Sequence, residues 1–128
     1  MKIDFNKKKG FICDMDGVLY HGNRVLPGAV EFIQWLQREK KEYLFLTNNS
    51  GMTPRELGQK LERMGLKVPE EHFYTSALAT AEFLKAQAPG CSAFVIGEAG
   101  LLNALYDAGI TMNDVNPEYV VIGEGRTY

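Results

Sequence analysis

The chain has 128 residues and a formal net charge of −2 at pH 7, which is enough for one ordinary domain but little for two. Hydrophobic residues make up 45% of it and charged residues 23%, so global disorder is excluded. This balance lacks the basic surface that binds nucleic acids and anionic membranes. No apolar run approaches the roughly 18–20 residues of a membrane-spanning helix, and residues 1–6 lack the apolar segment of a secretory signal. Neither a nucleic-acid polymer nor a membrane is an expected partner.

The first predicted elements alternate between apolar strands and one amphipathic helix. Residues 10–13 form a short apolar run and predict a strand. Ala29, Ile33 and Leu36 recur at helical spacing, together with Phe32, and predict one buried helix face. Residues 43–46 are apolar without polar alternation. They predict a strand that is buried on both faces, as in a parallel sheet.

The second predicted helix has clear start and stop signals. Thr53 is a good N-cap, Pro54 suits the first helical position and Glu56 completes a capping box. Gly65 is the expected stop after the last helical turn.

The later part of the chain repeats the strand and helix alternation. Ser76 is the predicted N-cap of a third helix that runs to about residue 88. Apolar strands are predicted at residues 93–96 and 119–122, with a helix between them that stops at Gly109. This order predicts an α/β fold with parallel strand pairing. The last strand has no following helix to cover it, although parallel strands are normally covered on both faces.

Two cysteines, Cys13 and Cys91, show neither the spacing of metal ligands nor a disulfide framework. They are interpreted as free thiols in a reducing compartment. The predicted location is therefore the cytoplasm.

Polar residues follow the first two predicted strands at the point where each strand ends. In open α/β sheets, ligands bind beyond the carboxyl ends of the strands. The first strand leads into Asp14, Asp16 and Gly17, and the second leads into Thr47 and the pair Asn48–Asn49. Carboxylates beside hydroxyl, amide and backbone N–H donors are the composition of a site for a phosphate and a divalent cation.

The chemistry of such a site assigns a task to each residue type. An ionised Asp14 can attack phosphorus and form an aspartyl-phosphate, and Mg²⁺ is the usual cation that bridges the two negative groups. Asp16 can protonate the leaving group and later deprotonate the attacking water. Thr47 and the N–H groups after it can hold the phosphoryl oxygens, and Gly17 lets the backbone approach the phosphate closely.

The motifs that carry these residues resemble the signatures of a known family. Residues 14–20, which read Asp-Met-Asp-Gly-Val-Leu-Tyr, resemble the first signature of the haloacid dehalogenase-like (HAD) hydrolases. Residues 47–50, Thr-Asn-Asn-Ser, resemble the second. The Thr-Asn-Asn form, with Pro-Gly-Ala at 27–29, is similar to the NagD and p-nitrophenyl phosphatase branch. The resemblance implies a Rossmann-like core with a parallel sheet and an inserted α/β cap domain.

The resemblance also implies a function and residue roles. The protein would be a Mg²⁺-dependent phosphatase of small phosphomonoesters, of the nucleotide monophosphate or sugar phosphate class. Asp14 would be the nucleophile and a Mg²⁺ ligand, and Asp16 the general acid and base that also offers the metal its backbone carbonyl. Thr47 and Asn48 would hold the phosphoryl group, with Asn49 and Gly17 as further phosphate-binding positions. Residues 20–25 would form a flap with a tight turn at Gly22-Asn23.

Two parts of the family pattern are missing from this sequence. The lysine of the third signature and the Gly-Asp segment of the fourth are absent. By resemblance, the complete protein is expected to be roughly twice as long. Residues 1–88 would then be the first part of the core and residues 89–128 the start of the cap. The isolated chain is expected to be a very poor phosphatase and to form homo-oligomers through an exposed apolar edge.

Two alternatives stay open at this point. A response-regulator receiver domain is also an α/β fold of about this length that forms an aspartyl-phosphate. In receivers, however, the acceptor aspartate follows a central strand, whereas the second strand here leads into Thr47-Asn48. The other alternative is a catalytically inactive fragment.

Overall fold

The structure is a computed structural model that describes residues 3–125. In chain order its main elements are β1 (Gly10–Asp14), β2 (Tyr20–His21), β3 (Arg24–Val25), α1 (Ala29–Arg38), β4 (Glu42–Thr47), α2 (Pro54–Arg63), β5 (Phe73–Thr75), α3 (Ser76–Gln87), β6 (Ser92–Ile96), α4 (Ala99–Asp107), β7 (Thr111–Met112) and β8 (Tyr119–Ile122). Short 3₁₀ turns cover Phe5–Lys7 and Glu70–His72. Within the described part of the chain, no helix has both the length and the apolar character needed to cross a membrane.

The strands form two parallel sheets and one small hairpin. The first sheet has the order β1-β4-β5 and the second has the order β7-β6-β8, and all pairings within them are parallel. The strands β2 and β3 pair antiparallel. The predicted α/β class with parallel pairing is confirmed. The two-residue strand β7 was not predicted, because two residues are too few to show a period.

The first hydrophobic cluster lies between the first sheet and the helices α1 and α2. Phe45 of β4, Leu36 of α1 and Leu61 of α2 are fully buried there. Ala29 and Ile33 are buried as predicted, so the helical spacing identified the inner face of α1 correctly.

An aromatic group borders the first cluster at its outer side. The Trp35 ring meets the Phe11 ring edge-on, with 5.4 Å between their centroids, and stacks on Phe32 at 6.3 Å. The Lys41 ammonium lies 5.6 Å from the centroid of Trp35 and donates to the Lys8 carbonyl at 2.6 Å. These contacts fix the start of β1 against α1.

The second hydrophobic cluster joins α3 and α4 to the second sheet. Its buried members are Ala77, Ala81, Leu84, Cys91, Ala93, Leu101, Ala104, Leu105 and Ile110. The helix α3 thus packs with the elements that follow it and not with the first cluster. This packing favours a domain division near residue 76, whereas the boundary between residues 88 and 89 stays a prediction.

Both sheets are covered by helices on one face only within residues 3–125. Ile12 is 75% exposed and Leu46 is 36% exposed in the first sheet, and Val120 and Ile122 are 60% and 69% exposed in the second. The expectation that β4 is buried on both faces is therefore wrong for the described residues. The absence of polar alternation shows that both faces of β4 are apolar. It does not show that both faces are covered by other elements.

The start of α2 has the predicted capping box. The Thr53 hydroxyl accepts from the Glu56 N–H at 3.1 Å, and the Glu56 carboxylate accepts from the Thr53 N–H at 2.9 Å. Met64 is the C-cap and Gly65 follows it with φ +91°. This left-handed conformation suits glycine.

Thr53→Ala is expected to lower the free energy of unfolding by about 1 kcal/mol, because the N–H of Glu56 loses its acceptor. Urea titration followed by circular dichroism measures the difference. Thr53→Ser is the matched control, since it keeps the hydroxyl and should stay close to the wild-type value. Equal losses in both variants would contradict a capping role.

The start of α3 differs from the prediction by one residue. Thr75, and not Ser76, is the N-cap, and its hydroxyl accepts from the Leu78 N–H at 3.1 Å. Both residue types cap helices well. The choice falls on Thr75 because its backbone is extended (φ −99°, ψ 163°), as the last residue of β5. The Ser76 hydroxyl is thereby available for another partner.

Candidate active site

The loop after β1 is anchored by two buried side chains. Met15 and Leu19 are 0% and 1% exposed, and the Leu19 N–H donates to the Met15 carbonyl at 2.9 Å. Asp14 and Asp16, on either side of Met15, are exposed. Burial of the residue between them therefore leaves both carboxylates at the surface where the strand ends.

A glycine turn completes this loop. The Gly17 N–H donates to the Tyr20 carbonyl at 2.7 Å, and Gly17 has φ +80°, a conformation that other residues adopt only with strain. No atom lies within 4 Å of the place where a Cβ would stand on Gly17. The hydrogen bond between Gly17 and Tyr20 closes the turn, and the space beside the Cα atom of Gly17 is unobstructed.

The negative charges of the two aspartates affect the pKa of Tyr20. Burial raises the pKa of the Tyr20 phenol, and the negative charges of Asp16 and then Asp14 raise it further. Both carboxylates thus act on the same buried hydroxyl, which stays protonated at neutral pH. The Lys60 ammonium lies 4.9 Å from the centroid of the Tyr20 ring.

The predicted flap is present as the β2-β3 hairpin. Tyr20 pairs with Val25 and His21 with Arg24, so Gly22-Asn23 is a two-residue turn. Gly22 has φ +61°, as primed hairpin turns require.

The second polar loop lies beside the first because β1 and β4 are parallel neighbours. Asp14 is in register with Leu46, so Thr47 follows directly next to it. The Asn49 N–H donates to Thr47 Oγ1 at 3.1 Å. The Asn49 side-chain oxygen accepts from the N–H groups of Gly51 and Met52, at 2.7 and 3.2 Å. Asn49 thus shapes this loop from within, and its role in phosphate binding stays a prediction.

The helix α4 and the residues after β8 contact the same loop. The Ser50 hydroxyl accepts from the Glu124 N–H at 2.9 Å, and the Gly100 N–H donates to the Gly51 carbonyl at 3.2 Å. A Cβ on Gly100 would lie 2.8 Å from the backbone of Gly51 and Met52. This contact was not predicted from the sequence. The glycine-rich stretch at 97–100 is its signal, and it serves close backbone approach.

A cleft of about 480 Å³ opens where the two loops meet. Its lining residues are Asp14, Leu46, Thr47, Asn48, Tyr74, Thr75, Ser76 and Ala79. The structure therefore brings the predicted Asp14, Thr47 and Asn48 to one cavity. Asn49 lines a neighbouring polar cavity of about 420 Å³, together with Glu56, Lys60, Glu98 and Glu124. Tyr74 and Ser76 are wall residues that the sequence did not mark as part of the site.

Comparison with known proteins identifies the family of this chain. The profile of the haloacid dehalogenase-like hydrolases matches residues 11–111. A dihydroxyacetone phosphatase of Corynebacterium glutamicum is 49% identical over 118 residues, which are 92% of this chain and 43% of the relative. The ribonucleotide monophosphatase NagD of Escherichia coli is 45% identical over 120 residues, which are 94% of this chain and 48% of the relative.

Solved structures show the same fold. The structure of NagD from E. coli K-12 superposes with a TM-score of 0.88 at 45% identity, over 94% of this chain and 48% of that one. A 4-nitrophenylphosphatase of Thermotoga maritima gives 0.87 at 34% identity, over 96% and 47%. The chain spans about half the length of the relatives it matches. The match to the family profile over most of the sequence and the shared fold show that this chain belongs to the haloacid dehalogenase-like hydrolases.

Proposed function

We propose that the protein is a Mg²⁺-dependent phosphatase that hydrolyses small phosphomonoesters through an aspartyl-phosphate on Asp14. One observation carries the proposal: Asp14, Thr47 and Asn48 line the same cleft at the carboxyl ends of two parallel strands. A nucleophile beside hydroxyl and amide donors is the arrangement that phosphoryl transfer needs. Membership of the family favours this reading over a receiver domain.

The carboxylate of Asp14 is the proposed nucleophile. It attacks phosphorus, the bond between phosphorus and the leaving oxygen breaks, and Asp16 gives its proton to that oxygen. In the second half of the reaction Asp16 takes a proton from water, which attacks the phosphorus of the aspartyl-phosphate. Inorganic phosphate leaves and the Asp14 carboxylate is restored. Both aspartates lie at the surface. This position supports these roles, because the phosphorylated substrate and the attacking water must reach them.

Phosphate binding is proposed for the loop that follows β4. Thr47 and Asn48 line the cleft together with Asp14, and hydroxyl and amide donors fixed before the reaction can stabilise the negative charge of the transferring group. Gly17 leaves open space on the outer side of the first loop, which supports close approach of the phosphate there. Asn49 is retained as a proposed contact.

The residues present fit a hard cation in part. Carboxylate and carbonyl oxygens of Asp14 and Asp16 are the donors that Mg²⁺ prefers. Between residues 3 and 125, however, no group of three His, Cys, Asp or Glu side chains is placed to hold a metal ion. We propose these two aspartates as ligands of Mg²⁺, which when bound supplies the positive charge that offsets repulsion between carboxylate and phosphate.

A small phosphorylated metabolite is the proposed substrate. Relatives of this chain are named a dihydroxyacetone phosphatase, a ribonucleotide monophosphatase and an acid sugar phosphatase, which supports the nucleotide monophosphate or sugar phosphate class. The proposed location is the cytoplasm, supported by the free thiols of Cys13 and Cys91. Homo-oligomers are proposed from the exposed apolar side chains of the sheets.

The full-length gene product is expected to release p-nitrophenol from p-nitrophenyl phosphate with Mg²⁺, to stop with EDTA and to recover when Mg²⁺ is restored. The 128-residue polypeptide is expected to be at least about 10²–10³-fold slower, the usual loss for one preorganised electrostatic group. Its described cleft is lined by no lysine or arginine. Sizing chromatography accompanies both assays. A monomeric 128-residue polypeptide that turns over at the full-length rate would contradict this assignment of the site.

A further inference from the structure

A hydrogen bond outside the predicted motifs ties α3 to the phosphate-binding loop. Ser76 Oγ donates to the Asn48 carbonyl at 2.8 Å, across 28 residues of sequence. The last rung of the pairing between β4 and β5 is Thr47 with Thr75. The hydrogen bond from Ser76 to Asn48 therefore joins the two chain segments one residue beyond their last paired strand residues. Both residues line the cleft that Asp14 also lines.

This bond orients a whole peptide unit. The peptide between Asn48 and Asn49 is planar and trans, so its carbonyl and its N–H point in opposite directions. Ser76 holds the carbonyl, and the N–H of the same unit donates to Thr47 Oγ1 at 3.1 Å. A change in the first contact therefore turns the donor of the second.

The second contact decides what the Thr47 hydroxyl can do. A hydroxyl has one hydrogen to donate and two lone pairs to accept with. Because the Asn49 N–H occupies an acceptor position of Thr47 Oγ1, the hydroxyl hydrogen is directed to another group. The cleft beside Thr47 is where a phosphoryl oxygen would stand under the proposed function.

We propose that Ser76 is a positioning residue for phosphoryl transfer: its hydroxyl fixes the peptide between Asn48 and Asn49, so that Thr47 serves as a hydrogen-bond donor to the phosphoryl group. The proposal rests on the proposed function, since it needs Thr47 to contact phosphate. Ser76 is free for this task because Thr75 caps α3 in its place.

The test measures p-nitrophenyl phosphate turnover and inhibition by inorganic phosphate in the full-length gene product. Ser76→Ala is expected to lower kcat/KM by about 3- to 10-fold, the usual effect of one hydrogen bond. The loss should fall mainly on kcat, and inhibition by phosphate should weaken. Ser76→Thr keeps the hydroxyl and should retain most activity. Thr80→Ala is the matched control, because the Thr80 hydroxyl donates only to the Ser76 carbonyl within α3, at 2.8 Å.

A double-mutant cycle separates positioning from general support of the fold. In a Thr47→Val background, Ser76→Ala should cost nothing further, because the hydroxyl through which it acts is gone. An undiminished loss in that background would overturn the proposal. So would wild-type kinetics of Ser76→Ala, or a loss in Ser76→Thr at an unchanged Tm. If Thr47→Val itself costs no activity, the phosphate-binding role within the proposed function fails instead. Should Ser76→Ala fail to fold, Ser76→Cys takes its place in the cycle.

Discussion

Asp14→Asn is expected to abolish phosphatase turnover in the full-length gene product while the fold is preserved. In asparagine an NH₂ group replaces one carboxylate oxygen, and the side chain loses the negative charge with which it attacks phosphorus. No aspartyl-phosphate therefore forms. The Asp14 Oδ1 atom accepts from the Met15 N–H at 2.8 Å, and an asparagine oxygen can accept the same bond. The loop after β1 should therefore keep its shape. Loss of a catalytic nucleophile costs about 10⁶-fold in another well-studied hydrolase.

Single-turnover assays with p-nitrophenyl phosphate measure this loss, and thermal unfolding checks the fold. Asp114→Asn is the matched control, because it makes the same chemical change at an exposed aspartate outside the cleft. It should leave the rate unchanged. Rates near wild type in Asp14→Asn would disprove the assignment of the nucleophile.

Asp16→Ala is expected to separate the two halves of the reaction. With an activated leaving group such as p-nitrophenolate, which needs little protonation, some aspartyl-phosphate should still form on Asp14. Its hydrolysis should be slowed by about 10²–10⁴-fold, the usual contribution of a general acid or base. The exposed position of Asp16 and the burial of Met15 beside it predict little change in stability.

Rapid-quench experiments would resolve these two phases. The expected record is a burst of p-nitrophenol followed by slow turnover, with the protein carrying phosphate that is labile in base. A poorer leaving group should suppress the burst more strongly, since it depends on the proton from Asp16. Unchanged rates of both phases would remove Asp16 from the mechanism.

The sequence was most informative where a local signal needs no distant partner. The capping box at Thr53, the stop at Gly65 and the turn at Gly22 are each decided by neighbouring residues, and the structure confirms all three. The strands predicted at residues 10–13 and 43–46 are both present, because an apolar run is a local signal, and each ends one residue later than predicted, at Asp14 and at Thr47.

The sequence was less informative where two parts of the chain compete or meet. Thr75 and Ser76 are both good caps, and only the end of β5 decides between them. The pairing of β7 with β6 depends on a partner 19 residues away. The contact of Gly100 with the loop after β4 joins positions 49 residues apart. Such long-range contacts leave no periodic trace in a single sequence.

Because the single tryptophan packs beside the first hydrophobic cluster, unfolding of that cluster can be followed separately from loss of the helices. Trp35 is the single tryptophan of the chain and packs beside the first cluster against Phe11, whereas the second cluster contains no tryptophan within residues 3–125. Tryptophan emission therefore follows unfolding of the first cluster, and far-ultraviolet circular dichroism follows all four helices. If the two signals change at different urea concentrations, the clusters unfold as separate units joined at Ser50 and Gly100. A coincident change means that these contacts couple both clusters into one cooperative fold.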